Sequence, residues 1–231
     1  MNPWIQWGFV AAFAVAWPAY ENNVRLPRVK AAILAGEPGR RVREYRLTML
    51  QEWALVGIAL VLLTRGGRSP HEIGLALPTG GGLAWTIGIV LGTGVLLLVQ
   101  HRAATGTEAG RAAVGRQLAP LRWLLPGPGV ELAQFRALAV TAGVCEEILF
   151  RGYLMTCLTP FGGTGAAVLA SSALFGLAHS YQGTNGAIRA GVLGAIMALM
   201  YLGTGSLLAP ILVHALIDLV SGQIAAEVGP S

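Results

Sequence analysis

Apolar runs of membrane-crossing length recur along the chain, at residues 4–20, 47–64, 83–100, 132–158, 165–181, 187–202 and 206–224. A hydrocarbon core of about 30 Å takes about 20 apolar residues in helical form, so each run predicts one spanning helix. The expectation is an all-α fold: one transmembrane domain over residues 1–231, a polytopic bundle of about seven helices. Residues 1–131 supply amino-terminal helices and basic connections, and residues 132–224 a helical core with a polar cavity. Only 12% of the residues are charged, about half the roughly 25% of soluble domains.

The net charge of +5 does not point to nucleic acid, because the basic residues sit in the joints between apolar runs. Residues 21–46 form a polar connection carrying Arg25, Arg28, Lys30, Arg40, Arg41, Arg43 and Arg46, and residues 101–131 carry Arg102, Arg111, Arg116 and Arg122. The intervening connection, 66–82, carries Arg68, with Arg65 at its edge. The positive-inside rule then makes the two strongly basic connections cytoplasmic and puts the amino terminus outside. The first run contains Ala14-Val15-Ala16, which resembles a signal-peptidase site, but no basic segment precedes it and a retained helix is expected. Gly88 and Gly92 form a small-residue pair suited to close helix approach. Pro126-Gly127-Pro128-Gly129 marks a helix break. Pro210 is expected to kink the last helix beside His214. Glu52, near the start of its run, is expected at headgroup level. His71 and Glu72 read as an exposed loop pair, and Cys145 and Cys157 as packing residues.

Charge inside the runs is the exception that needs a reason. Residues 145–152 read C-E-E-I-L-F-R-G, which sets Glu146, Glu147 and Arg151 at membrane depth. Such residues face a bundle interior or trapped water, and by default mark a functional site. His179 ends one later run, and His214 and Asp218 lie one turn apart in another. At about 100° per residue Glu147 and Arg151 share a face and can pair, whereas Glu146 points elsewhere and stays available for chemistry. Glu146, His179, His214 and Asp218 then offer two imidazoles and two carboxylates. In one reading they bind zinc and a glutamate activates the metal-bound water. In the other no metal is used: Glu146 with His179 activates water, and His214 with Asp218 stabilises the oxyanion. Both are hydrolyses, most simply of a peptide bond. A proton-coupled transporter is the alternative class, although its polar residues should fall in two matching halves.

The three motifs E-E-x-x-x-R (Glu146, Glu147, Arg151), F-x-x-x-H (Phe175, His179) and H-x-x-x-D (His214, Asp218) resemble those of the CAAX protease and bacteriocin-processing family, also called Abi. The stretch 201–214 is similar to the family's lead-in to its third motif, and the resemblance covers about residues 132–222. It implies an intramembrane endopeptidase of a bacterial plasma membrane that cleaves CAAX-type tails or leader peptides of membrane-associated proteins. Glu146 and His179 would activate water, His214 and Asp218 would support the oxyanion or complete a zinc site, and Glu147, Arg151 and Phe175 would support them. Many family members have Asn at the position of Asp218, and an ionised Asp cannot donate a hydrogen bond. A non-catalytic immunity protein of the same fold would be expected to lose a motif residue. The partners implied are a peptide or protein substrate and the lipid bilayer.

Overall fold

The structure is a computed structural model that describes residues 3–228. Among these residues there is no strand. Seven long helices are joined by short connections: α1 (3–34), α2 (Arg40–Arg65), α3 (Gly81–Thr105), α5 (130–162), α6 (164–178), α7 (Gly183–Thr204) and α8 (Leu208–Val228). A shorter α4 (Glu108–Leu118) lies between α3 and α5. Five helical stretches are long and apolar enough to cross a membrane, and the one over Val130–Ala178 supplies both α5 and α6. It reverses at Gly163, whose φ of 75° and ψ of 177° leave helical geometry. A left-handed φ costs glycine nothing, which locates the turn here. Exposed Trp85, Leu91, Leu96 and Leu169 line the outer surface, as lipid contact requires. The chain is a multi-pass membrane protein.

Several boundaries differ from those expected. The first helix does not stop at residue 20 but runs on to Leu34, through Pro18 and Pro27. Two π-helical stretches, Ala12–Ala16 and Glu21–Arg25, each end just before a proline. A π turn absorbs the hydrogen bond that proline cannot make, so the helix survives residues that read as breakers. Much of the supposed loop 21–46 is therefore helix. Gly88 and Gly92 are exposed, with no atom near the place a Cβ would take, so they mediate no close contact within the chain. Pro210 lies in the first turn of α8, where a missing N–H breaks no ladder, and produces no kink.

The connections sort to two ends. Turn 35–39, α4, and the start of α5 share one end, where Arg41 reaches Glu131 and the Trp123 carbonyl and His101 meets Glu227. The other end holds residues 66–80, the Gly163 turn and residues 205–207, with Arg65 and Arg68 as its basic residues. Segment 66–80 is more than a loop. Its Ile73 is fully buried, the Gly74 carbonyl accepts from Leu207 N–H, and Ser206 hydroxyl donates to the Ala76 carbonyl. Glu72 caps its own short helix by accepting from the Ser69 N–H and hydroxyl, and the backbone bond holds its carboxyl below the ordinary range.

The core centres on α5. Residues 147–154 are all buried and π-helical, packed by Val10, Phe13 and Ala14 of α1, by Val56 and Leu63 of α2, and by Phe175 of α6. Phe150 joins two of these layers, with its ring 5.8 Å from that of Phe13 and 5.1 Å from that of Phe175.

Candidate functional site

The two glutamates of α5 straddle a change of helix type. Val130–Glu146 is α-helical and the π stretch begins at Glu147. Such single-stretch π geometry inside α-helices recurs at functional sites. The Phe150 carbonyl within it accepts from Ser171 hydroxyl of α6 at 2.9 Å, which helps to hold the wider turn. Glu147 faces inward and is completely buried, accepting from Arg151 Nη1 at 2.9 Å and from His214 Nδ1 at 2.8 Å. The pairing of Glu147 with Arg151 thus forms although the helix is locally not α.

Arg151 is covered from two helices. Its guanidinium carbon lies 4.2 Å from the centroid of the Phe175 ring, a cation–π stack. On the α7 side stands Gly194, where an added Cβ would lie 2.8 Å from Arg151 Nη2. A side chain at this position would press on the guanidinium. Gly143 is similarly placed between α5 and α8: a Cβ there would lie 2.8 Å from the Ala215 nitrogen. That close approach lets the side chain of His214 reach Glu147.

His214 is fixed by this chain of contacts. Because Nδ1–H donates to the carboxylate, Nε2 is turned toward the other acidic groups, 3.8 Å from Glu146 Oε2 and 3.6 Å from Asp218 Oδ2. His179 is oriented in the same manner by a different acceptor, donating Nδ1–H to the Phe175 carbonyl at 2.9 Å. In the neutral ring that leaves Nε2 as an acceptor, and it lies 3.9 Å from Glu146 Oε2. α6 is short, about 22 Å at 1.5 Å per residue, and His179 follows its last residue. There the Asn22 amide of α1 donates to Ser180 hydroxyl.

Glu146, His179, His214 and Asp218 are thus brought together, with Phe175 and the Glu147–Arg151 pair behind them. Accessibility separates them into two sets. The Glu146, His179 and Asp218 side chains are 19%, 18% and 35% exposed, while Glu147 and Arg151 are at 0%. The outer set can meet another molecule, and the inner set can only hold its neighbours. Glu146 Oε2 is a buried atom without a hydrogen-bond partner among the described residues.

Among the described residues no group of three His, Cys, Asp or Glu side chains is placed to hold a metal ion. His214 Nδ1 is committed to Glu147, and the residues as placed do not form the three-ligand set that the zinc alternative needs. Cys145 is fully buried. His71 and Glu72 are remote from the cluster, in the 66–80 segment. One acidic residue of the neighbourhood was not anticipated: Glu52 of α2 is not at headgroup level but buried among these groups, with Glu146, His214 and Asp218 as electrostatic neighbours. A lone carboxylate in an apolar run was the available signal. Gly194 gave no signal, since a glycine in a membrane helix has many uses.

Residues 128–220 match a family model described as type II CAAX prenyl endopeptidase Rce1-like. The match spans less than half of the chain and includes all three motifs, so the chain contains a CAAX-protease-like segment rather than being covered by one. The comparisons with curated proteins and with solved structures found no match.

Proposed function

We propose that the protein is an intramembrane endopeptidase that hydrolyses a peptide bond in a membrane-associated protein or peptide, of the CAAX-tail or leader-peptide kind. The observation that carries this reading is the Glu146 carboxylate. It is partly accessible, Oε2 has no hydrogen-bond partner among the described residues, and it stands 3.9 Å and 3.8 Å from the Nε2 atoms of two histidines held from behind. Those separations are too long for direct hydrogen bonds and suit one water bridging them. The match to the Rce1-like model supports the same class of reaction.

In this reading Glu146 takes a proton from the bridging water, with His179 Nε2 accepting the water's other hydrogen as a hydrogen bond. The water oxygen bonds to the carbonyl carbon, and the carbonyl oxygen becomes an oxyanion. His214, its Nδ1–H held by Glu147, carries a proton on Nε2 only as imidazolium. That form donates to the oxyanion, and Asp218 beside it donates as well when protonated. The C–N bond then breaks and the amine leaves with the proton held by Glu146. Glu147 and Arg151 touch no reacting atom and act by fixing His214.

The test is a mass-spectrometric comparison of membrane peptides from cells carrying wild type or Glu146→Ala. Products present with wild type should be absent with the variant, and their precursors should accumulate. Identical peptide profiles would overturn the reading.

A further inference from the structure

The basic end of the bundle holds a cavity of about 230 Å³ that the hydrolytic site does not use. Gly115 and Leu118 of α4, Arg122 and Leu125 of the connection to α5, Val228 of α8 and Arg41 of α2 line it. None of Glu146, His179, His214 and Asp218 does. Along α8 alone, Val228 lies about 15 Å beyond Asp218 at 1.5 Å per residue. The depth of the cavity follows from the helices that bound it. Arg41 stands at the start of α2, Leu125 shortly before α5, and Val228 at the end of α8, and each of these helices is long and apolar enough to cross a membrane. The cavity therefore sits where apolar spans begin and end, at the level of lipid head groups.

Its charge is positive. Among the lining residues there is no Asp or Glu. Arg41 is already committed: Nη1 pairs with Glu131, Nε donates to the Trp123 carbonyl at 3.0 Å, and Glu131 also accepts from the Gly127 N–H at 2.8 Å. These bonds fasten the connection before α5 to α2 and give the cavity a fixed wall. Arg122 is exposed and has no ion pair or side-chain hydrogen bond among the described residues. Its guanidinium lies over Gly115, where an added Cβ would stand 3.4 Å from Arg122 Nη2 and 3.6 Å from Val228 Cγ1. An uncompensated guanidinium is thus seated between α4 and the end of α8, with Leu118, Leu125 and Val228 as apolar walls.

That combination fits an anion with hydrocarbon attached. The planar fork of arginine can donate to two phosphate oxygens at once, and basic pockets between membrane helices take anionic head groups. We propose that this cavity binds the head group of an anionic phospholipid, with the phosphate accepting from Arg122 and the acyl chains in the bilayer. The proposal is independent of the protease reading.

The experiment is native mass spectrometry of the full chain from a neutral detergent, titrated with dioleoylphosphatidylglycerol or with dioleoylphosphatidylcholine. The two lipids share phosphate and acyl chains and differ in net charge. Wild type should bind its first phosphatidylglycerol about fivefold more tightly than phosphatidylcholine, the worth of one arginine beside an anionic lipid. Arg122→Gln should lose this preference. Arg116→Gln, which removes an exposed arginine of α4 that does not line the cavity, should keep it. Equal affinity of wild type for the two lipids overturns the proposal. So does a preference that falls as far in Arg116→Gln as in Arg122→Gln, because the attraction would then belong to the whole basic surface. Binding of inorganic phosphate by wild type without a preference for phosphatidylglycerol would assign the site to a free anion and also overturn it. Should Arg122→Gln fail to fold, phosphatidylglycerol with a photoactivatable diazirine in its head group decides on wild type alone. Cross-links mapped to residues 115–128 or 225–228 support the proposal, and cross-links only elsewhere refute it. No arm reads cleavage, so failure of the protease reading leaves these results unchanged.

Discussion

Adjacent glutamates should respond in opposite ways to the same truncation. Glu147→Ala removes the carboxylate that accepts from both Arg151 and His214 and leaves a guanidinium at zero exposure beside the Phe150 and Phe175 rings. Stripping one partner from a buried pair costs about 3–5 kcal/mol, because the other charge stays buried and uncompensated. At about 2–4 °C per kcal/mol for a chain of this size, the melting temperature should fall by about 6–20 °C. Glu146→Ala removes a carboxylate whose Oε2 has no hydrogen-bond partner among the described residues, and should cost less than about 1 kcal/mol. The double variant Glu147→Ala/Arg151→Met should recover much of the loss, since no orphaned charge remains. Thermal unfolding of the purified protein in one detergent, with far-ultraviolet circular dichroism as the signal, measures all three. Melting temperatures of Glu147→Ala and Glu146→Ala within about 2 °C of each other would refute the assignment of Glu147 and Arg151 as the internal brace.

Gly194→Ala should lower the cleavage rate more than it lowers stability, because its Cβ would stand 2.8 Å from Arg151 Nη2 and displace the guanidinium behind Glu147. The stability cost should be about 1–3 kcal/mol, and an enzyme with unaltered cleavage would show that the guanidinium position is immaterial. Arg40→Cys and Arg116→Cys are expected to be labelled from the cytoplasmic side and Arg68→Cys from the other, by the charge asymmetry of the two ends. Impermeant maleimide applied to each side checks this, and labelling of Arg40→Cys only from outside would reverse the topology.

What could be read in the sequence was whatever depended on chemistry at short spacing. Glu147 and Arg151, or His214 and Asp218, sit one turn apart on any helical geometry, so their pairing did not require knowledge of the fold. The helical bundle followed from run length alone. The depth of Glu52 could not be read in that way, because an apolar run fixes how long a helix is and not where along its neighbour it rests. Its burial shows only once the helices are packed, with Glu52 8% exposed on α2. The extent of α1 was hidden by Pro18 and Pro27, residues whose local meaning is a break and whose actual accommodation uses π turns. The idle Gly88 and Gly92, beside the essential room left by Gly143 and Gly194, show that small-residue spacing says nothing about which face another helix occupies.

The change from α to π between Glu146 and Glu147 acts as a phase shifter along one continuous rod. Everything amino-terminal of it, including Gly143 against α8, is set by one angular register, and everything carboxyl-terminal, including Arg151 under Gly194, by another. Were the stretch to regularise to α-helix at unchanged length, the two halves would rotate against each other by about 100° for each residue the π turns absorb. The accessible carboxylate and its buried brace could no longer both face α8. The π conformation of these eight residues is consequently as constrained as their identities, although no single position in the stretch carries that requirement.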